Sequence, residues 1–370
     1  MKVAIVHEYL VKLGGAERVL DVLHEIYPDA PIFTLLYDEE KTAHHYKKGW
    51  NIKTSFLQKM PFATKLIDLY RIFMPLAIEQ FDLSGFDLVI SSSHSFAKGA
   101  ITKPGTLHIC YCYTPTRYLW HQMKEGYRHV GNIIKKLLPA GLNYLRVWDQ
   151  IASDRPDRYV SISKTVQKRI KKFYRKDSVI IYPPVQLDRF LTTNETSDYF
   201  LLVSRLEAHK SIDIVIDAFN SLGHKLKIVG TGKDYDHLKK KSKPNIVFLG
   251  RLSDNKLKRL YSRCKALIFP QEEDFGITVL EAQAAGKPII AYARGGATET
   301  VIENMTGIFF KKQTSEELID AIDRFKKKKF SVQKIIQNAR RFETKIFKKN
   351  WLKYIKKQTA KGKKWNSETM

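Results

Sequence analysis

The sequence predicts an α/β protein made of two parallel, doubly wound sheets, and three observations carry that prediction. The chain has 370 residues, enough for two separate hydrophobic cores. From Tyr199 to about Phe310, apolar runs without polar alternation recur: YFLLVS, KLKIVG, NIVFLG, KALIFP, PIIAYA and GIFF. Strands covered on both faces look like this, because neither side of the pleat meets water. Between those runs lie SIDIVIDAFNSL, KDYDHLKKK, DNKLKRLYSRC, ITVLEAQAA and ATETVIE, which carry helical periodicity. Strand and helix alternating at this spacing argue crossover connections and hence a parallel sheet.

The first half repeats the theme more loosely. KVAIV opens as a strand, runs into HEYL, and is followed by the helix GGAERVLDVLHEI. APIFTLL, DLVISSS, TLHICYC and RYVSIS read as further strands, with KTVQKRIKKFY as the helix after the last of them. Two irregular insertions interrupt, roughly Ser55–Phe81 and Glu125–Asp149. YPPVQLDRF, from Tyr182 to Phe190, breaks the pattern with two prolines and reads as a linker. The predicted domains are therefore 1–182 and 183–344, and a basic amphipathic pattern resumes after about Ser331.

Composition narrows the class. With 44% hydrophobic residues the chain is an ordinary globular protein. A net charge of +26 predicts attraction to polyanions: nucleic acid, anionic lipid or phosphorylated substrates. No apolar run reaches membrane-spanning length, and MKVAIVHEYL suits a first buried strand better than a secretion signal. Cys110, Cys112 and Cys264 fit neither a redox pair nor a zinc knuckle, so they read as reduced core thiols of a cytosolic protein. A nucleic-acid binder should carry a recognisable reading element, and none is found.

Three stretches carry chemistry. In HEYLVKLGGAERVL, a glycine pair, Gly14 and Gly15, stands between a strand and a helix. Glycines there admit close backbone approach, and a helix N-terminus offers N–H groups to a phosphate. The pattern is not the glycine fingerprint of dinucleotide oxidoreductases. In VSRLEAHKSID, Arg205 and Lys210 follow the carboxyl end of a buried strand, the edge where open α/β sheets bind ligands. A guanidinium fork and an ammonium suit a diphosphate. In QEEDFGITVLEAQAAG, Glu273 precedes a helix closed by Gly286, and Glu281 lies inside it. Glu273 is placed to hold sugar hydroxyls, the N–H groups of Phe275, Gly276 and Ile277 to hold nearby oxygens, and Glu281 a ribose diol.

The arrangement E-DFGITVL-E resembles the signature of the retaining glycosyltransferases of family 4, whose GT-B fold is two facing Rossmann-like domains with an interdomain cleft. SRLEAHKSID is similar to that family's donor-phosphate motif, and GGAERV to its N-terminal glycine loop. MPLAIEQFDLSGFDLVISSSHSFAKG, HICYCYTPTRYLW and HEYL resemble the O-antigen and exopolysaccharide mannosyltransferase branch, which uses GDP-mannose. The resemblance implies that Arg205 and Lys210 neutralise the departing diphosphate without a metal, that Glu273 contacts the donor sugar, and that Glu281 contacts the ribose. Gly15 would sit against the phosphates or acceptor, while Gly230, Gly250, Arg251 and Leu252 line the base pocket. It further implies an acceptor-binding first domain, a donor-binding second domain, and a tail helix at about 345–370 that packs back on the first.

Where many relatives carry a histidine that contacts the donor sugar, this chain has Tyr113, which can donate a hydrogen bond but is no base near neutrality. His94 and Arg117 are further candidates for the sugar and acceptor side, with a buried capping role for His94 equally open. Both insertions mix aliphatic and aromatic residues with lysine and arginine, as helices at a membrane interface do, or as helices packed on the domain. A polyprenyl-diphosphate-linked acceptor would bring the enzyme to the inner face of the plasma membrane, where anionic lipid meets its cations. The expected reaction is thus metal-independent, cofactor-free hexosyl transfer, with a UDP-sugar as the alternative donor, and nucleotide-sugar epimerase or phosphorylase chemistry less well supported.

Overall fold

The structure is a computed structural model that describes residues 1–46, 49–121, 132–190, 192–193 and 195–368. They form two compact units, Met1–Pro184 with Phe347–Met370, and Val185–Ile346. The first holds β1 (Val3–Leu10), β2 (Ile32–Tyr37), β3 (Ile52–Thr54), β4 (Leu88–Ser93), β5 (Leu107–Cys112), β6 (Arg158–Ser161) and β7 (Ser178–Ile180). They pair in the order β3-β2-β1-β4-β5-β6-β7. The second holds β8 (Phe200–Val203), β9 (Leu226–Val229), β10 (Ile246–Phe248), β11 (Leu267–Phe269), β12 (Ile289–Tyr292) and β13 (Gly307–Phe310), in the order β10-β9-β8-β11-β12-β13. Every pairing is parallel.

The two-sheet α/β architecture is therefore the one the apolar runs predict. Central strands are covered on both faces; all of β4 is buried. In each sheet the winding reverses once, between β1 and β4 and between β8 and β11. Crossovers leave in opposite directions at such a point, so the loops beyond the strand carboxyl ends part and leave a crevice there. The sequence pattern misses β3 and β7, three-residue edge strands whose side chains are half-buried or exposed and so carry no apolar run.

Both insertions contribute core. Residues 55–81 are not irregular: they fold into short helical turns at Phe56–Lys59, Ile67–Tyr70, Arg71–Phe73 and Met74–Glu79. The second insertion was expected at Glu125–Asp149; its first residues, through 131, lie outside the described residues, and the rest belongs to one helix, Asn132–Ala152. Tyr70, Met74, Ile78, Leu145 and Trp148 share a buried cluster with strand residues Val6 and Val89. Each such side chain contributes about 1.5–3 kcal/mol by leaving water.

The basic tail is two helices, Val332–Arg340 and Thr344–Glu368. Trp351 of the latter is fully buried in the first unit. Its ring meets Tyr111 edge-on at 5.9 Å, and its indole N–H donates to the Tyr27 hydroxyl at 3.3 Å. Cys110, Cys112 and Cys264 are buried and unbridged, and burial pushes the Cys264 thiol up to about 12. Among the described residues no helix is long and apolar enough to cross a membrane.

Candidate functional site

In the second unit, the reversal point lies between the ends of β8 and β11, and each strand delivers one candidate to it. Beyond Val203 the chain turns through Ser204 to Lys210. Beyond Phe269 it runs from Pro270 to the helix Ile277–Ala284. Lys210 Nζ donates to Glu273 Oε1 at 2.8 Å, and Gln271 Nε2 reaches the same oxygen at 3.1 Å. Lys210 is only 5% exposed, whereas the Glu273 side chain keeps 28% of its surface in water. A buried ammonium thus holds a half-open carboxylate, and both charges stand where the crevice opens.

Two supports fix that pair. Gln313, just past β13, donates to Ser211 Oγ at 2.8 Å and to the Pro270 carbonyl at 2.9 Å, tying the two loops together. Beyond β12, the Gly295–Gly296 turn lies against the Glu273 segment: the Gly296 N–H donates to the Glu273 carbonyl at 2.7 Å. A Cβ on Gly296 would stand 2.3 Å from Phe275 Cα, so only glycine fits. Gln313 and Gly296 were missed in the sequence, although two consecutive glycines after a strand-like run were a usable signal for the second.

The remaining donor-side candidates are distributed along the same edge. Arg205 is 60% exposed and donates to Glu207 Oε1 at 2.9 Å rather than to Glu273. Gly230 follows β9, takes φ +137, and packs so tightly that a Cβ would meet the Ser204 carbonyl oxygen at 1.8 Å. Its N–H donates to the Gly250 carbonyl at 2.9 Å, so Gly230 and Gly250 come together. Arg251 is exposed and Leu252 is partly buried against the second unit's core. Gly276 caps the helix Ile277–Ala284 at φ +85, which turns the Glu273-Asp274-Phe275 segment into the helix. First-turn N–H groups of a helix lack intrahelical partners and favour anions. Glu281, inside that helix, is 6% exposed and accepts a hydrogen bond from Tyr261 Oη at 2.9 Å.

In the first unit the corresponding edge is more buried. Gly14 caps the helix Gly15–Ile26, and Gly15 opens it. Glu8, absent from the sequence-derived candidates, proves central. Its Oε1 accepts from the N–H groups of His94, Ser95 and Ala97 at 3.0, 2.7 and 3.1 Å, and from Ser93 Oγ at 3.0 Å. Its Oε2 accepts from the Phe96 N–H at 2.9 Å. Burial opposes ionisation of Glu8, but its interaction with His94 and the backbone N–H bonds it accepts outweigh that cost and leave the carboxyl below its ordinary value. Burial pushes the His94 imidazole down against the pull of Glu8, which favours its neutral form.

Tyr113 donates to the Ala16 carbonyl at 3.1 Å, and its oxygen lies 2.9 Å from Ser92 Oγ. A phenol has one proton, so Ser92 donates to Tyr113, and His7 Nδ1–H, at 3.0 Å, donates to Ser92. Burial pushes the Tyr113 phenol well up, so it stays protonated. Arg117 begins the short helix Arg117–Trp120 after β5. Among the described residues no cluster of three or more His, Cys, Asp or Glu side chains is arranged to hold a metal ion.

Residues 186–342, nearly the whole second unit, match the model of the family described as glycosyl transferases group 1. The second unit is therefore similar to a group 1 glycosyltransferase domain. The chain is 24% identical over 332 residues to an uncharacterized glycosyltransferase of Methanocaldococcus jannaschii, covering 87% of each chain. It is 33% identical over 164 residues to the O-antigen chain mannosyltransferase RfbU of Salmonella typhimurium, across 40% of this chain and 45% of that protein. Among solved structures it is similar to HepE of Anabaena in complex with UDP, with a TM-score of 0.70 at 18% identity over 96% of this chain and 100% of that one. That likeness shows the GT-B fold.

Proposed function

We propose that this chain is a retaining glycosyltransferase that moves mannose from GDP-mannose to a lipid-linked or polysaccharide acceptor in cell-surface glycan assembly. The observation that carries the reading is the Lys210–Glu273 pair at the sheet-reversal edge of the second unit, where the group 1 model matches. The mannosyltransferase among the relatives supports the choice of sugar. In this reading the second unit binds the donor: Arg205 and Lys210 take up diphosphate charge without a metal, Glu273 holds the sugar, and Glu281 the ribose. Gly15, Gly230, Gly250, Arg251 and Leu252 line the phosphate and base positions, together with the backbone of Phe275, Gly276 and Ile277. The first unit binds the acceptor, with His94, Tyr113 and Arg117 on that side.

The bond from the anomeric carbon to the diphosphate breaks, and a bond to the acceptor hydroxyl oxygen forms with the anomeric configuration kept. The hydroxyl proton passes to the leaving diphosphate. No side chain then has to act as the base, which suits a Tyr113 that stays protonated. The enzyme would work on the cytoplasmic side, at the inner face of the plasma membrane. A UDP-sugar is the second reading, supported by the UDP in the Anabaena structure of the same fold.

Thermal shift and donor hydrolysis against GDP-, UDP- and ADP-sugars, with and without chelator, test the proposal. Stabilisation and turnover with GDP-mannose that survive chelator are expected. A response confined to UDP-sugars replaces the donor, loss under chelator removes metal independence, and silence from folded protein overturns the reading.

A further inference from the structure

We infer that the outer face of residues 56–76, together with the exposed stripe of the helix Asn132–Ala152, is the surface by which this chain docks on an anionic lipid bilayer. The inference rests on the lipid-linked acceptor proposed above. Phe62, Leu66, Leu69, Ile72, Phe73 and Leu76 are all exposed, from 42% at Leu66 to 70% at Phe62. Isolated exposed apolar side chains are ordinary, but a contiguous run of them marks an interaction surface. Phe62 also holds φ +51, a left-handed conformation rare for a bulky aromatic, at the position where its ring is presented to solvent.

The helix adds Tyr144, Val147 and Ile151, which lie on one face at spacings of three and four and are 48–58% exposed. The adjoining face of the same helix, with Leu145 and Trp148, is buried in one cluster with Met74 and Tyr70. The two pieces adjoin, since a Cβ on Gly141 would lie 3.9 Å from the Ile72 side chain.

Charge selects the occupant. Lys59 and Lys65 stand exposed among the apolar tips. Apolar side chains that enter the acyl boundary beside cations that meet phosphate are the pattern of an interfacial helix. A second copy of the chain fits badly, because a net charge of +26 opposes self-association. The face is also joined to the candidate acceptor edge. Arg71 lies over the Tyr118 ring at 4.4 Å, in the helix that follows Tyr113, and Tyr9 Oη donates to Met74 Sδ at 3.3 Å. A bilayer on this face would therefore lie beside the carboxyl ends of β1, β4 and β5.

The test is co-sedimentation of the full chain, without donor, with vesicles of phosphatidylcholine alone or mixed with phosphatidylglycerol. The wild type is expected to bind the mixed vesicles and to lose binding at high salt. Phe62→Ser with Leu69→Ser and Phe73→Ser should weaken binding about tenfold or more, since most of the inserted area is removed. Lys59→Glu with Lys65→Glu should abolish the preference for phosphatidylglycerol. Both variants should keep the wild-type melting temperature and hydrolyse soluble GDP-mannose normally.

A triple variant that sediments like the wild type overturns the inference. So does a wild type that ignores vesicles, or one whose dimer the triple variant dissociates in analytical ultracentrifugation. Because binding is read without donor, absent GDP-mannose turnover would overturn the donor reading and leave the vesicle result to decide this surface.

Discussion

Gly296→Ala probes how the second unit holds its candidate sugar-binding carboxylate. Gly296 has φ −63, an ordinary value for alanine, so the substitution adds no backbone strain. Its effect is steric. The new methyl would stand 2.3 Å from Phe275 Cα and 2.5 Å from the Phe275 carbonyl oxygen, where ordinary contact begins at 3.4 Å. One wall must retreat by about 1 Å, because overlap on that scale is far up the repulsive wall of the contact potential. The movable wall is the Glu273–Phe275 segment, which also loses the good geometry of its 2.7 Å bond from the Gly296 N–H. Overpacking costs about 1–3 kcal/mol and the weakened bond about 1 more, so unfolding free energy should fall by about 2–4 kcal/mol. A 1 Å misplacement of a substrate-holding group costs about 100-fold in rate, and kcat should fall by that order while the protein stays folded. Gly223→Ala is the control: φ is +67 and no atom lies within 4 Å of the new methyl. It should cost about 1–2 kcal/mol for the left-handed backbone alone and leave kcat unchanged. Urea unfolding and donor turnover on both variants decide the matter. A folded Gly296→Ala protein with parental kcat would refute the claim that this turn sets the position of Glu273.

Other outcomes follow from the same geometry. Lys210→Met should cut turnover by about 100-fold or more, with a melting point within a few degrees of the parent, because Glu273 remains partly solvated and keeps Gln271. Lys98 is fully buried between Asp149 and the Ser95 carbonyl, and Asp149 also accepts from Thr116, Trp120 and Tyr174. Lys98→Met should therefore lower the urea unfolding free energy by about 3–5 kcal/mol, and adding Asp149→Asn should restore part of it. Burial holds His108 at about 3, far below its ordinary 6.5. A depressed folded value means that the stabilisation is complete above 6.5 and is lost as pH falls toward 3. Unfolding free energy should drop by about 2 kcal/mol between pH 7 and pH 5 from this group, and His108→Gln should flatten that slope.

The fold was legible because central parallel strands leave a strong mark: β8, β9, β11 and β12 are apolar runs since both faces are covered. The edge strands β3 and β7 leave none. At the site, Lys210 and Glu273 were visible as charged residues after buried strands. Their pairing was not, because it depends on β8 and β11 becoming neighbours across 63 residues of sequence. Glu8 was hidden for a similar reason. It stands next to His7 near the end of a mostly apolar strand, and the N–H groups that account for it come from a turn 86 to 89 residues later. The insertions deceived in the other direction, since short helical turns broken by Phe62 at positive φ do not sustain a period long enough to recognise.

The burial of Trp351 has a consequence for the order in which this protein can be made. The second unit is one continuous stretch, so it has everything it needs once residue 346 has left the ribosome. The first unit is complete only when Trp351, hydrogen-bonded to a residue 324 positions earlier, arrives to cover Tyr111. During synthesis the seven-stranded unit is therefore begun first and finished last. Its uncovered aromatic face waits through the translation of an entire second domain, and that interval is when a chaperone would have something to hold.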